Sequence, residues 1–165
     1  MTLYTWVVIG HVFLVIVAFG AHGAAALSMF EVKREADRAR LAAVLDLSIR
    51  SFSVAIWALF GAVLLGIAAM VMGDHVGRLW VWVSILVLVA MVLLMAPLAG
   101  APMNRVRRAL GLRSERNGPG ADPTREPLSD AELTAARQAL RPGRVSLVGL
   151  TATLALVGLM EGKPF

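Results

Sequence analysis

The chain has 165 residues, 58% of them hydrophobic and only 16% charged, against about 25% charged in soluble globular proteins. It carries a net charge of +5 and no cysteine, which excludes a disulfide framework, a thiolate metal site and a thiol nucleophile. The length fits one domain, and the basic residues gather at the ends of apolar stretches, so the charge reads as membrane topology rather than nucleic-acid binding.

Residues 1–30 carry no formal charge. Since about 20 apolar residues cross the hydrocarbon core, they supply a first span over 3–29, with Tyr4 and Trp6 at an interface. It must be helical, because a backbone in lipid has to pair its own N–H and C=O groups. Ala24, Ala25 and Ala26 look like a signal-peptide cleavage site, but no basic segment precedes the apolar run, which outlasts the roughly 7–15 residues of a signal sequence. The span is therefore expected to be retained. His11 and His22 share one of its faces, with depths about 16 Å apart.

Residues 31–44 read as a charged helical continuation, with Lys33 and Asp37 four apart. Val32, Ala36, Ala39 and Ala43 give it a weak apolar side. A second span covers 45–73, and at its start Asp46 and Arg50, one turn apart, are expected to pair. The short turn 73–78 makes spans two and three antiparallel neighbours. Trp80 and Trp82 lead the third span, 79–98. Pro97 frees a backbone carbonyl one turn earlier, and Pro102 separates the span from a basic segment holding Arg105, Arg107 and Arg108.

The loop 105–144 is the one sizeable polar region. It is turn-rich over 117–123. Ser129 and Glu132 then form a capping box, with Leu128 and Leu133 as its staple. A short helix should follow over 130–140, with Leu133, Ala136 and Leu140 as a narrow apolar stripe, stopped at Arg141-Pro142-Gly143. That stripe could dock on the membrane, on the chain's own helices or on a partner. Arg105, Arg107, Arg108, Leu133 and Leu140 are the candidate partner or lipid contacts. The last span, 145–160, covers only about 24 Å, so Arg144 and Lys163 are expected to reach out to the headgroups.

Fourteen basic residues border or lie in the first and third loops, and two lie elsewhere. The positive-inside bias then places both loops in the cytoplasm and both termini outside. The expectation is an all-α, single-domain protein of the bacterial inner membrane. Its form is an antiparallel four-transmembrane-helix bundle with a short amphipathic helix in a cytoplasmic loop.

Chemistry has few places to reside. Stacked His11 and His22 suit haem ligation, with His75 the available second ligand near the outer end. Met70, Met72 and His75 combine thioether and imidazole groups that suit Cu(I). The competing reading gives the histidines a carbonyl or hydroxyl on a neighbouring helix and leaves the methionines as packing. No carboxylate sits at mid-bilayer, which argues against a proton-coupled exchanger. There is no Walker loop, HExxH or nucleophile elbow, so no enzyme is expected. The leading expectation is an accessory or scaffolding subunit of a homo-oligomer or larger membrane complex, in contact with anionic lipid and not nucleic acid. A haem- or copper-binding protein and a small oligomeric transporter or channel are the alternatives.

Gly10-His11-Val12, Gly20-Ala21-His22-Gly23, a glycine-bearing second span, a Trp-led third span and a basic exit resemble an uncharacterised bacterial family of four-span integral membrane proteins. That grouping is distantly similar in architecture to copper-resistance D-type membrane domains. The resemblance covers most of the chain as hydropathy and scattered residues. It implies the four-span architecture and carries over no functional residue.

Overall fold

The computed structural model describes residues 1–114 and 117–163, so Arg116, one of the loop arginines, lies outside the described residues. Those described are helical wherever they are regular, with no strand among them. The helices are α1 (Leu3–Arg34), α2 (Arg38–Met72), α3 (Leu79–Met95), α4 (Ala101–Ala109), α5 (Asp130–Gln138) and α6 (Pro142–Gly162), and a π-helical turn, Ala96–Gly100, links α3 to α4. Four stretches are long and apolar enough to cross a membrane: Leu3–Arg34, Arg38–Met72, Leu79–Ala109 and Asp130–Gly162.

The helices pack as two principal pairs, α1 with α2 and α3 with α6, joined mainly where α6 meets α1. Along the first pair Leu14 lies against Gly61, Gly10 against Leu65 and His11 against Gly66. As the chain advances on one helix it retreats on the other, so the two run antiparallel. The expected neighbours α2 and α3 make no sizeable contact. A short connection brings two helix ends together, but side chains decide which flanks meet.

Residues 31–44 are not one continuous helix. Glu35 accepts from the N–H groups of Ala36 and Asp37 (2.9 and 3.0 Å), and Asp37 accepts from that of Arg40 (2.8 Å). These carboxylates compete for backbone donors, ending α1 at Arg34 and capping α2 at Asp37. Asp37 is thereby occupied, and Lys33, its expected partner, instead donates Nζ to Leu140 O at 2.8 Å.

The boundary at Pro97 and Pro102 is softer than expected. Each proline removes one backbone donor, and the π-helical turn absorbs the mismatch, so the helical path continues through Ala109. The fourth apolar helix is not short either. α6 spans 21 residues, or about 31 Å at 1.5 Å per residue.

The core lies at the basic end. Met29, Val32, Leu41, Leu45, Met103, Val106, Leu112, Leu133, Leu140 and Val145 form one buried cluster there with Met91 and Met95. Along the apolar helices Phe13, Ile16, Trp57, Leu86, Leu93 and Leu147 face outward. Water drives apolar burial, whereas lipid tails compete on equal terms with a neighbouring helix. A tight core at the polar end and bare apolar flanks elsewhere are what that difference favours in helices long and apolar enough to cross a membrane.

Candidate functional site

α4 is amphipathic in an unusual way. Met103, Val106 and Arg107 lie three and four residues apart, on the side that is buried. An arginine on an apolar face requires a counter-charge and acceptors, because an unpaired buried guanidinium is costly. Asp46, projecting from the basic end of α2, supplies the charge: Arg107 Nη2 donates to its Oδ1 at 3.0 Å. Arg107 Nε donates to Arg113 O at 2.7 Å. Arg107 is 1% exposed and Asp46 29%, and among the described residues Arg107 Nη1 finds no partner.

The loop after α4 closes over this pair. Arg113 N–H donates to Gly120 O (3.0 Å), Asp122 N–H donates to Gly111 O (2.8 Å), and Leu112 and Ala121 form an isolated antiparallel bridge. Gly120 has φ +100°, a conformation that strongly favours glycine. Its N–H reaches both carboxylate oxygens of Asp46 at 3.2 Å. Gly111 has φ +69°, and a Cβ there would lie 3.0 Å from Arg125 O. Farther along, the Thr124 hydroxyl and N–H hold the Asp122 carboxyl below its ordinary value.

α5 closes the basic end. Its capping box is present as the sequence implies, with Ser129 and Glu132 bonded reciprocally, and the Ser129 hydroxyl and N–H keep Glu132 below the usual carboxylate range. Leu133 and Leu140 are 5% and 0% exposed. They therefore pack on this chain's own helices and are not available to a partner or to lipid. Arg107 leaves the contact set for the same reason. Arg105 and Arg108 stay exposed and line a groove between α4 and α5 with Arg125, Glu126, Leu128 and Glu132.

The expected Asp46–Arg50 pair is not formed. Arg50 is exposed and can keep its water, while Arg107, buried beyond water's reach, has the greater need of the carboxylate. Sequence spacing alone favours the nearer partner. A signal for the true one was present: Arg107 stands in register with Met103 and Val106 on the apolar side of α4.

The three histidines occupy three different surroundings. His11 Nδ1 bonds to Ala62 O at 2.7 Å. A carbonyl only accepts, so Nδ1 is the donor in this bond. The ring rests on Gly66, where a Cβ would lie 3.0 Å from Cε1. His22 lies beside Gly149 of α6 together with Met95. His75 sits in the turn after α2 with its ring 5.8 Å from that of Trp80, and its N–H closes the turn on Met70 O at 2.9 Å. Met72 is exposed and Met70 half-buried. Among the described residues no group of three or more His, Asp or Glu is placed to hold a metal ion.

α1 also carries a face that none of the described residues covers. Phe13, Ile16, Gly20, Gly23 and Leu27 are spaced three and four apart, Phe13, Ile16, Gly20 and Leu27 are exposed, and the space beside Gly20 and Gly23 is empty. By contrast, the α2 glycines that face α1 are filled, Gly61 by Leu14 and Gly66 by His11. Comparison with protein-family models, curated proteins and solved structures finds no match to this chain.

Proposed function

We propose that the chain is a four-span antiparallel bundle of the bacterial inner membrane, with both termini outside. In this reading it acts as a non-enzymatic accessory or scaffolding subunit that assembles with a second copy of itself through α1. The four long apolar helices and their outward-facing side chains support insertion, and the one-sided basic charge supports the orientation.

The observation that carries the assembly is the open notch at Gly20 and Gly23. Small residues let helix backbones approach closely in lipid, where packing rather than water exclusion holds helices together. Larger side chains flank the notch on both sides, Phe13 and Ile16 before it and Leu27 after it. Under a two-fold axis each copy offers the other a glycine floor and apolar walls. The spacing of three and four matches the seam along which helices interdigitate.

Cross-linking and size measurement in a mild detergent test this reading. The native protein is expected to run as a dimer, and Gly20→Ile to shift it to monomer while its helical content stays unchanged. A native protein that is monomeric across detergents and in native membranes, or a G20I protein that dimerises as well as the parent, would overturn it.

A further inference from the structure

A second feature of the basic end lies where α1 stops and α6 starts. A cleft of about 510 Å³ opens there, lined by Phe30, Lys33, Arg34, Arg141, Pro142 and Arg144, with Gly143 on its rim. Four of these residues are cationic and none is acidic. Among the described residues none of the four pairs with a carboxylate, since the ion pairs present join Arg38 to Asp130, Arg107 to Asp46 and Arg125 to Asp122. Four like charges around one opening repel, and that repulsion is relieved when an anion enters.

The cleft is held in shape. Lys33 Nζ is fixed on Leu140 O at 2.8 Å, and Arg137 donates Nε to Val32 O (3.0 Å) and Nη2 to Lys33 O (3.2 Å). These bonds tie the end of α1 to the corner between α5 and α6. Gly143 has nothing within 4 Å of where a Cβ would stand, so a ligand can come up to the backbone there. Leu27, three residues before Phe30 on α1, and Leu147, three residues after Arg144 on α6, are both exposed. The basic opening thus continues into two apolar flanks.

We propose that this cleft binds the phosphate of an anionic phospholipid, with Arg34, Arg141 and Arg144 around the headgroup and Leu27, Phe30 and Leu147 along the acyl chains. Basic pockets between membrane helices are suited to such headgroups. The adjoining apolar flanks favour a lipid over free phosphate, which would leave them unused. The proposal rests on the membrane reading but not on the dimer.

The test uses the full chain in mild detergent, with thermal unfolding followed as lipid is added. The probes are dioleoylphosphatidylglycerol, dioleoylphosphatidylcholine and inorganic phosphate. The phosphatidylglycerol should protect at lower concentration than the phosphatidylcholine, and inorganic phosphate should protect little. R141Q/R144Q should weaken the phosphatidylglycerol effect about thirtyfold, since each of the two basic residues near a charged headgroup contributes on the order of 1 kcal/mol. R105Q/R108Q removes the same charge from the α4–α5 groove and should leave the effect in place. Equal loss in both double variants, equal protection by the two lipids, or equal protection by inorganic phosphate would each overturn the assignment. Resistance of each variant to alkaline extraction from membranes is measured alongside. A chain that washes off refutes the span reading itself, whereas an inserted chain with no lipid preference refutes only the cleft.

Discussion

Asp46 and Arg107 stand 61 positions apart in the chain and meet at 3.0 Å, joining the basic end of α2 to α4. Because Gly120 N–H and Arg113 O complete the arrangement, one carboxylate holds both a helix and the loop that follows it. Asp46→Ala strips the counter-charge from a guanidinium that is 1% exposed, and should cost about 3 kcal/mol. The joint replacement of Asp46 by Leu and Arg107 by Met should cost clearly less, because it removes the charge that is left stranded. Thermal unfolding in one detergent compares the two. Equal losses would mean that the pair contributes little beyond its packing.

His11 is expected to act as an interhelical donor. His11→Leu removes its bond to Ala62 O and should lower stability by about 1 kcal/mol. Gly66→Leu should do at least as much harm, because a side chain there must displace the ring. The reduced-minus-oxidised spectrum of protein purified from cells supplied with iron and copper should be unaffected by H11L. A Soret band or bound copper that disappears with H11L would instead make His11 a ligand.

The cap of α5 should respond to acid. Glu132 is held below its ordinary value of 4.5 by Ser129. A carboxylate with a depressed folded value lends stability above its unfolded value, and loses it as pH falls through the folded one. Amide protection factors over Asp130–Gln138, which remove the intrinsic pH dependence of exchange, should therefore be highest near neutrality and drop below about pH 4.5, in the range where the carboxyl takes up its proton. Glu132→Gln should flatten that dependence. If E132Q keeps the full acid response, another group is responsible.

Because the native chain lacks cysteine, single introduced cysteines report orientation directly. Thr2→Cys should react with a membrane-impermeant maleimide added to intact cells, and Ala121→Cys only after the membrane is opened. Both native positions are exposed, so burial within the chain does not mask them. The reverse pattern would invert the topology.

The four apolar helices were legible because lipid imposes a simple demand: long runs without charge, closed into helices. The cap of α5 was legible too, since Ser129 and Glu132 are three residues apart and the chemistry is local. The break at 35–37 was not, because Glu35 and Asp37 read equally well as solvated helix charges until their carboxylates are seen on backbone N–H groups. Least legible was the choice made by Asp46. Helical spacing places Arg50 within reach, and the one hint of the true partner, Arg107 in register with Met103 and Val106, stands 61 positions later with nothing in the sequence to join it to Asp46. The burial of Leu133 and Leu140 depends in the same way on where α5 folds back. The apolar stripe was readable in advance, but the surface it covers was not.

The bonds from Arg137 to the carbonyls of Val32 and Lys33 bear on the order in which the chain is made. Arg137 lies 105 residues beyond Val32, so during synthesis α1 and α2 are complete long before the side chain that finishes the end of α1 has left the ribosome. Until then those carbonyls must face water or lipid headgroups. The basic end can therefore settle only as a last step, when α5 arrives, and a chain cut short before residue 137 should reach the membrane with its first helical hairpin formed and that end still loose.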